Sequence, residues 1–209
     1  MADSFGKEDF YPVTVARPPY LHRYDLFSPK LARRLTLFSW NSVLLWTMIE
    51  SHAAIKKFCE RPGSIRVDGD WRLADFWVQR DGQSEFLLLE HSPLKDTAEA
   101  TPRLESDLGL RTRTVLDAEL GANTVWIKNW QQMLPYLVSN RCFLEPRQLD
   151  RILILCQVPQ MLVDIERAEL PANPIIARTA VFELVRQGTL LAEDLHRDPL
   201  SSTSRFIMA

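Results

Sequence analysis

Two acids stand at the ends of strand-like runs in residues 71–92, WRLADFWVQRDGQSEFLLLEHS: Asp75 opens one run, and Glu90 closes the other just before His91. Carboxylates brought side by side at strand ends can share a divalent cation. Hard divalent cations suit such a pair, because they take oxygen ligands. An ion held there can polarise a substrate group and activate water. The competing reading is that Asp75 and Glu90 are strand-end acids satisfied by backbone donors or by Arg72. Glu50, Lys56, Lys57 and Lys95 are the other charged groups near enough in sequence to complete a site. His91 could ligate or relay protons, although strand alternation points it to the face opposite Glu90. Arg33 with Arg34, and Lys56 with Lys57, are the candidate phosphate contacts.

The elements that must position these residues follow from pattern. SIRVDGDWRLADFWVQ alternates around an Asp-Gly turn, and RDGQSE supplies a second turn. FLLLEH is an apolar strand of the kind buried on both faces. Upstream, residues 39–52 read as a buried helix with Ser39 or Asn41 as its cap. Downstream, residues 96–121 read as a polar stretch and then a helix, and NTVWIKN as another buried strand. After Asn140 the spacing turns helical in EPRQLDRILILCQVPQMLVDIERA and in PIIARTAVFELVRQ, which stops at Gly188. A helix, a glycine and the short strand pair TLLAEDL and STSRFIMA outline a winged helix-turn-helix. The tryptophans Trp40, Trp46, Trp71, Trp77 and Trp126 are expected in the core.

The bulk properties narrow the class. A chain of 209 residues, 46% hydrophobic and 25% charged, is an ordinary globular composition. A net charge of −2 gives no global basic field, so contact with DNA needs local patches. The apolar runs are too short to span a bilayer. The start, MADSFGKEDF, has no apolar signal core, and the three cysteines, Cys59, Cys142 and Cys156, are widely spaced. The expectation is a cytoplasmic protein without a membrane partner.

The order helix, strand opening with Asp, strand ending in an acid, helix, strand resembles the PD-(D/E)XK nuclease core. It is similar in particular to TnsA-like transposon-end endonucleases. AAIKKFCERP (Ile55, Phe58, Pro62), ADFWV with Asp75, the Asp81-Gly82 turn, FLLLEHS with Glu90, NTVWIKN with WQQMLPYLVSN, and the C-terminal winged-helix outline carry the resemblance over residues 35 to 205. It implies an α/β restriction-endonuclease-like mixed sheet flanked by helices, followed by a small helical winged-helix-like unit. The expected organisation is an irregular arm (1–30), a nuclease-fold domain (31–143) and a C-terminal unit (144–209). The implied activity is Mg²⁺- or Mn²⁺-dependent DNA cleavage, with Asp75, Glu90, Glu50 and Lys95 as the catalytic candidates and Asp75 and Glu90 as metal ligands. DNA, a DDE-type transposase subunit and an AAA+ regulator are the implied partners.

The sequence departs from that pattern at two positions. The helix Glu of the family falls at Ser42, and its Lys falls at Ser92. Glu50 lies eight residues past Ser42, about 80° around the helix. Losing one positioned electrostatic group costs on the order of 10² to 10³ in rate. The expectation is weak or absent cutting by the chain alone. A non-catalytic DNA-binding or scaffold subunit and a winged-helix regulator are the alternatives.

Overall fold

A computed structural model describes residues 10–94, 102–104, 111–170 and 173–209. Its central sheet is built from β3 (Ile55–Glu60), β6 (Phe76–Arg80), β7 (Gln83–Leu89) and β8 (Arg111–Val115), in the order β3-β6-β7-β8. The β3/β6 and β6/β7 pairs are antiparallel and the β7/β8 pair is parallel, so the sheet is mixed. Two hairpins flank it: β1 (Tyr24–Ser28) with β2 (Arg33–Leu37), and β4 (Ser64–Val67) with β5 (Asp70–Leu73).

The Asp-Gly signals sit where they were expected. Asp68-Gly69 and Asp81-Gly82 each form a two-residue connection with both residues at positive φ, the geometry that matches strand twist. Alternation then divides β6 and β7 between two cores. Phe76, Val78, Leu87 and Leu89 enter one apolar cluster, and Trp77, Phe86 and Leu88 enter another with Cys59, Ile65 and Ala74. Apolar matter on both faces accounts for the unbroken FLLL run.

Helix α1 (Trp40–Ser51) packs on the first face through Val43, Leu45, Trp46 and Ile49. Ser39 is its cap, accepting from the Ser42 N–H (3.0 Å). Beyond the sheet come α2 (Asp117–Ala122), α3 (Thr124–Asn140), a 3-10 turn (Arg141–Phe143), α4 (Pro146–Leu155), β9 (Gln160–Met161), α5 (Leu162–Ala168), α6 (Pro174–Gln187), β10 (Leu190–Leu191), a second 3-10 turn (Glu193–His196) and β11 (Arg205–Met208). The last strands form a small sheet in the order β10-β11-β9. Gly188 ends α6 in the left-handed conformation, as its position in the sequence suggested.

Four segments differ from expectation. NTVWIKN is not a strand; it opens α3, whose buried residues Ile127, Trp130, Met133, Leu134 and Leu137 recur at helical spacing. RTRTV, expected in a helical stretch, is the edge strand β8, and the helix begins only at Asp117. Tyr24–Ser28, placed in the irregular arm, is paired along its whole length with β2. The helical run after Glu145 breaks before Pro159, and Gln160 and Met161 pair with β11. Of the tryptophans, Trp46 and Trp77 are buried, whereas Trp40 is half exposed.

One apolar cluster runs from Leu35 and Leu37 through α1, the sheet and α3 to α6 and Phe206. Buried Asn129 of α3 adds polar ties, donating to the carbonyls of Leu195 and Asp198 and accepting from the Leu200 N–H (all 2.8 Å). Helix α6 lies between α3, α4 and α5, with Ala177 and residues 179–185 buried. Among the described residues no helix is long and apolar enough to cross a membrane.

Candidate active site

Asp75 occupies the break between β5 and β6. Its N–H donates to Leu87 O (3.1 Å) and its carbonyl accepts from the Arg61 N–H (2.9 Å), so the backbone is fixed between β3 and β7. The side chain is 3% exposed. Oδ2 accepts from the Leu89 N–H (2.8 Å) and Oδ1 accepts from Ser92 Oγ (2.7 Å). Burial pushes the carboxyl up to about 6, against the pull of the Leu89 and Ser92 hydrogen bonds and the Arg72 and Arg61 charges. Both oxygens therefore already have protein donors, and one donor is the serine at the position where the resemblance calls for lysine.

Glu90 ends β7, the strand next to β6, but its side chain is exposed and turns elsewhere. Its Oε2 accepts from the Asp117 N–H (3.1 Å) at the first turn of α2. His91 Nδ1 lies 3.1 Å from Asp117 Oδ2, and Asp117 Oδ1 accepts from Asn41 Nδ2 (2.9 Å) at the start of α1. Strand alternation would separate Glu90 from His91. Because the chain turns at residues 90–91, both side chains instead meet Asp117. One ligand atom from each of Glu90, His91 and Asp117 lies within 4.8 Å of the others, so this trio is able to hold an ion. A histidine with two carboxylates suits a borderline metal better than Mg²⁺, which favours oxygen ligands throughout. The three groups are exposed and bound to one another.

Glu50 is not brought to this end of the molecule. Asn41 marks the site end of α1, and Glu50 lies roughly 13 Å further along the helix axis at 1.5 Å per residue. There it is buried, accepting from Ser28 Oγ (2.6 Å) and the Lys30 N–H (2.7 Å). Burial raises its carboxyl above the ordinary value, opposed first by the Ser28 hydrogen bond and then by the Lys30 charge. Glu50, a catalytic candidate from the sequence, is thereby placed away from Asp75 and Glu90: it anchors the β1–β2 turn to α1. Ser42 is buried, and its Oγ is 2.7 Å from Ser39 Oγ within the cap. Lys95 lies outside the described residues.

Among the described residues, no Mg²⁺ centre of the nuclease kind fits. Both Asp75 oxygens have protein donors, Glu90 accepts from the first turn of α2, and Ser42 and Ser92 stand where the resemblance would put the helix acid and the lysine. Asp117 had no signal in the sequence and Asn41 stood only as a cap candidate, since the two meet only through the fold.

The basic candidates separate in the same way. Arg33 donates to both oxygens of buried Glu60 (2.8 and 2.6 Å), which holds the guanidinium in a structural pair. Arg34 is on the other face of β2 and exposed. Lys56 and Lys57 are exposed on β3, with Lys56 Nζ donating to Ala53 O (2.8 Å). Arg34 and Lys56 are thus the groups of this set that the surface presents most openly.

No protein-family model matches the sequence, and no curated protein matches it.

Proposed function

We propose that the chain is a TnsA-like, nuclease-fold subunit of a heteromeric DNA transposition system that has lost the cutting chemistry and acts as a scaffold beside a DDE-type transposase and an AAA+ regulator. The framework supports this reading: α1 packs on a mixed sheet, Asp75 immediately precedes β6, and Glu90 immediately follows its neighbour β7. The observation that carries the loss of chemistry is the hydrogen bond from Ser92 Oγ to the buried Asp75 carboxylate. A serine supplies no charge to a phosphate, and here it closes the acid that would hold the ion.

The C-terminal unit supports the winged-helix part of the reading through its order: α4, β9, α5, α6, β10, β11, with the sheet β10-β11-β9. In a helix-turn-helix the second helix of the pair enters the major groove. In this chain that helix is α6, and it is buried between α3, α4 and α5. The unit therefore serves as packing and docking material rather than as a groove reader.

The reading is tested by incubating the full chain with supercoiled plasmid in Mg²⁺ and in Mn²⁺, alongside Asp75→Ala. The expected outcome is no nicking above the level of the variant. Metal-dependent nicking that disappears in Asp75→Ala makes the chain a working nuclease and overturns the proposal.

A further inference from the structure

The exposed side chains of Glu90, His91 and Asp117 converge where β7 ends and α2 begins. Their backbone is held from three sides. The Glu90 N–H donates to Val115 O (3.0 Å) at the end of β8, and the Asp117 N–H donates to Glu90 Oε2 (3.1 Å). Asn41 Nδ2, at the start of α1, donates to Asp117 Oδ1 (2.9 Å), which leaves Oδ2 beside His91 Nδ1. An outer hydrogen bond of this kind orients a carboxylate for an ion.

Charge and spacing both suit a cation. Glu119, two residues past Asp117, is paired with Arg113 (2.9 Å), but among the described residues neither Glu90 nor Asp117 meets a lysine or an arginine. With His91 neutral, the trio carries two negative charges that no such side chain offsets. Ligand atoms held at about 2.1 Å from one ion stand roughly 3.0 to 3.4 Å apart, from octahedral to tetrahedral angles. His91 Nδ1 and Asp117 Oδ2 are 3.1 Å apart, so an ion takes the place of the proton between them with little movement. The Glu90 ligand atom lies within 4.8 Å of the other two, a gap that rotation of an exposed side chain closes.

We propose that Glu90, His91 and Asp117 bind one divalent ion of the zinc class, with water in the remaining positions. The imidazole nitrogen selects such borderline ions over Mg²⁺, which favours oxygen throughout. Neutral His91 ligates through Nδ1 with its proton on Nε2. The ion fastens the end of β7 to the start of α2, and three protein ligands leave a position open to an outside oxygen. Asp75, bound to Leu89 and Ser92, contributes nothing to this site, and the proposal does not rest on the nuclease-fold reading.

The test is a calorimetric titration of the metal-free full chain with zinc chloride, with the His91 ring signals followed by NMR. A saturable site is expected, with the His91 signals shifting in step and excess Mg²⁺ failing to displace the Zn²⁺. His91→Ala, at a side chain 73% exposed, is expected to keep the wild-type urea midpoint and to weaken binding by about tenfold or more. Glu90→Gln, which keeps the shape, is expected to weaken it as well, and Asp75→Asn to leave it unchanged. Absence of a saturable site, an affinity indifferent to His91→Ala or to Glu90→Gln, or displacement by Mg²⁺ each overturn the proposal. Zn²⁺ binding lost in Asp75→Asn overturns it too, and takes with it the reading of Asp75 as a closed acid. Plasmid nicking that depends on Asp75, with the zinc results as expected, overturns only that reading.

Discussion

Glu50→Ala lowers the unfolding free energy by about 3 kcal/mol, the range seen when one partner of a buried charged network is removed. The substitution leaves the Ser28 hydroxyl and the Lys30 N–H without their acceptor. It also strands the Lys30 ammonium, whose Nζ donates to Ile49 O (2.7 Å) and His52 O (3.0 Å) at the C-terminal end of α1. Burial, eased by the Glu50 charge, brings that ammonium down to about 8, so removing the carboxylate takes away what favours its charged form. Glu50→Gln keeps the shape and part of the hydrogen bonding, and costs about 1 kcal/mol. Urea denaturation of the three proteins checks this. A midpoint for Glu50→Ala equal to that of the wild type would show that the network has no structural role and would reopen a functional one.

Glu183→Ala has an effect of similar size, again about 3 kcal/mol. Glu183 is buried on α6 and accepts from Arg186 (2.6 and 2.8 Å) and Gln187 (2.9 Å), with Arg141 Nε at 3.3 Å. Burial raises its carboxyl, but the Arg186 hydrogen bonds and charge, with Gln187 and Arg141, leave it below the ordinary value. Arg141 also donates to Pro29 O (2.8 Å), so one carboxylate on α6 steadies the turn after β1 as well as its own helix. The loss is read by the same denaturation experiment. If Glu183→Ala keeps its stability but alters duplex binding, α6 is reachable by DNA and the structural assignment of that helix fails.

How far the fold could be read in advance depended on where each signal lay. Local signals were legible: the two Asp-Gly turns, the Ser39 cap and Gly188 act within a few residues of themselves. The apolar run of β7 was legible because burial on both faces leaves no alternation to misread. Helix α3 was not, because TVWI is a short apolar run that strand and helix share, and Pro135 lies inside the helix that follows. Strand β8 was hidden because its first four residues are exposed and polar, and only pairing with β7 makes them a strand. The site divides along the same line. Asp75 and Glu90 were visible at strand ends, and Ser92 as a departure from the resemblance. That Ser92 binds Asp75, that Asp117 collects Glu90, His91 and Asn41, and that Glu50 is buried beside Ser28 and Lys30 are long-range facts of packing.

On the proposed reading, Asp75 is a structural acid closed by Ser92 and Leu89 rather than a metal ligand. Its ordinary value is 3.8 and its value in the fold about 6, so the folded chain takes up a proton between those limits. Stability from this group is therefore fully present below pH 4 and is lost as pH rises through 6. A bound cation would favour the ionised form and pull the midpoint down. The direct measurement is the carboxyl carbon of Asp75 followed by NMR across that range, with and without saturating Mg²⁺. The expected result is a midpoint near 6 that Mg²⁺ does not move. A midpoint that drops toward the ordinary carboxylate range when Mg²⁺ is added would contradict it.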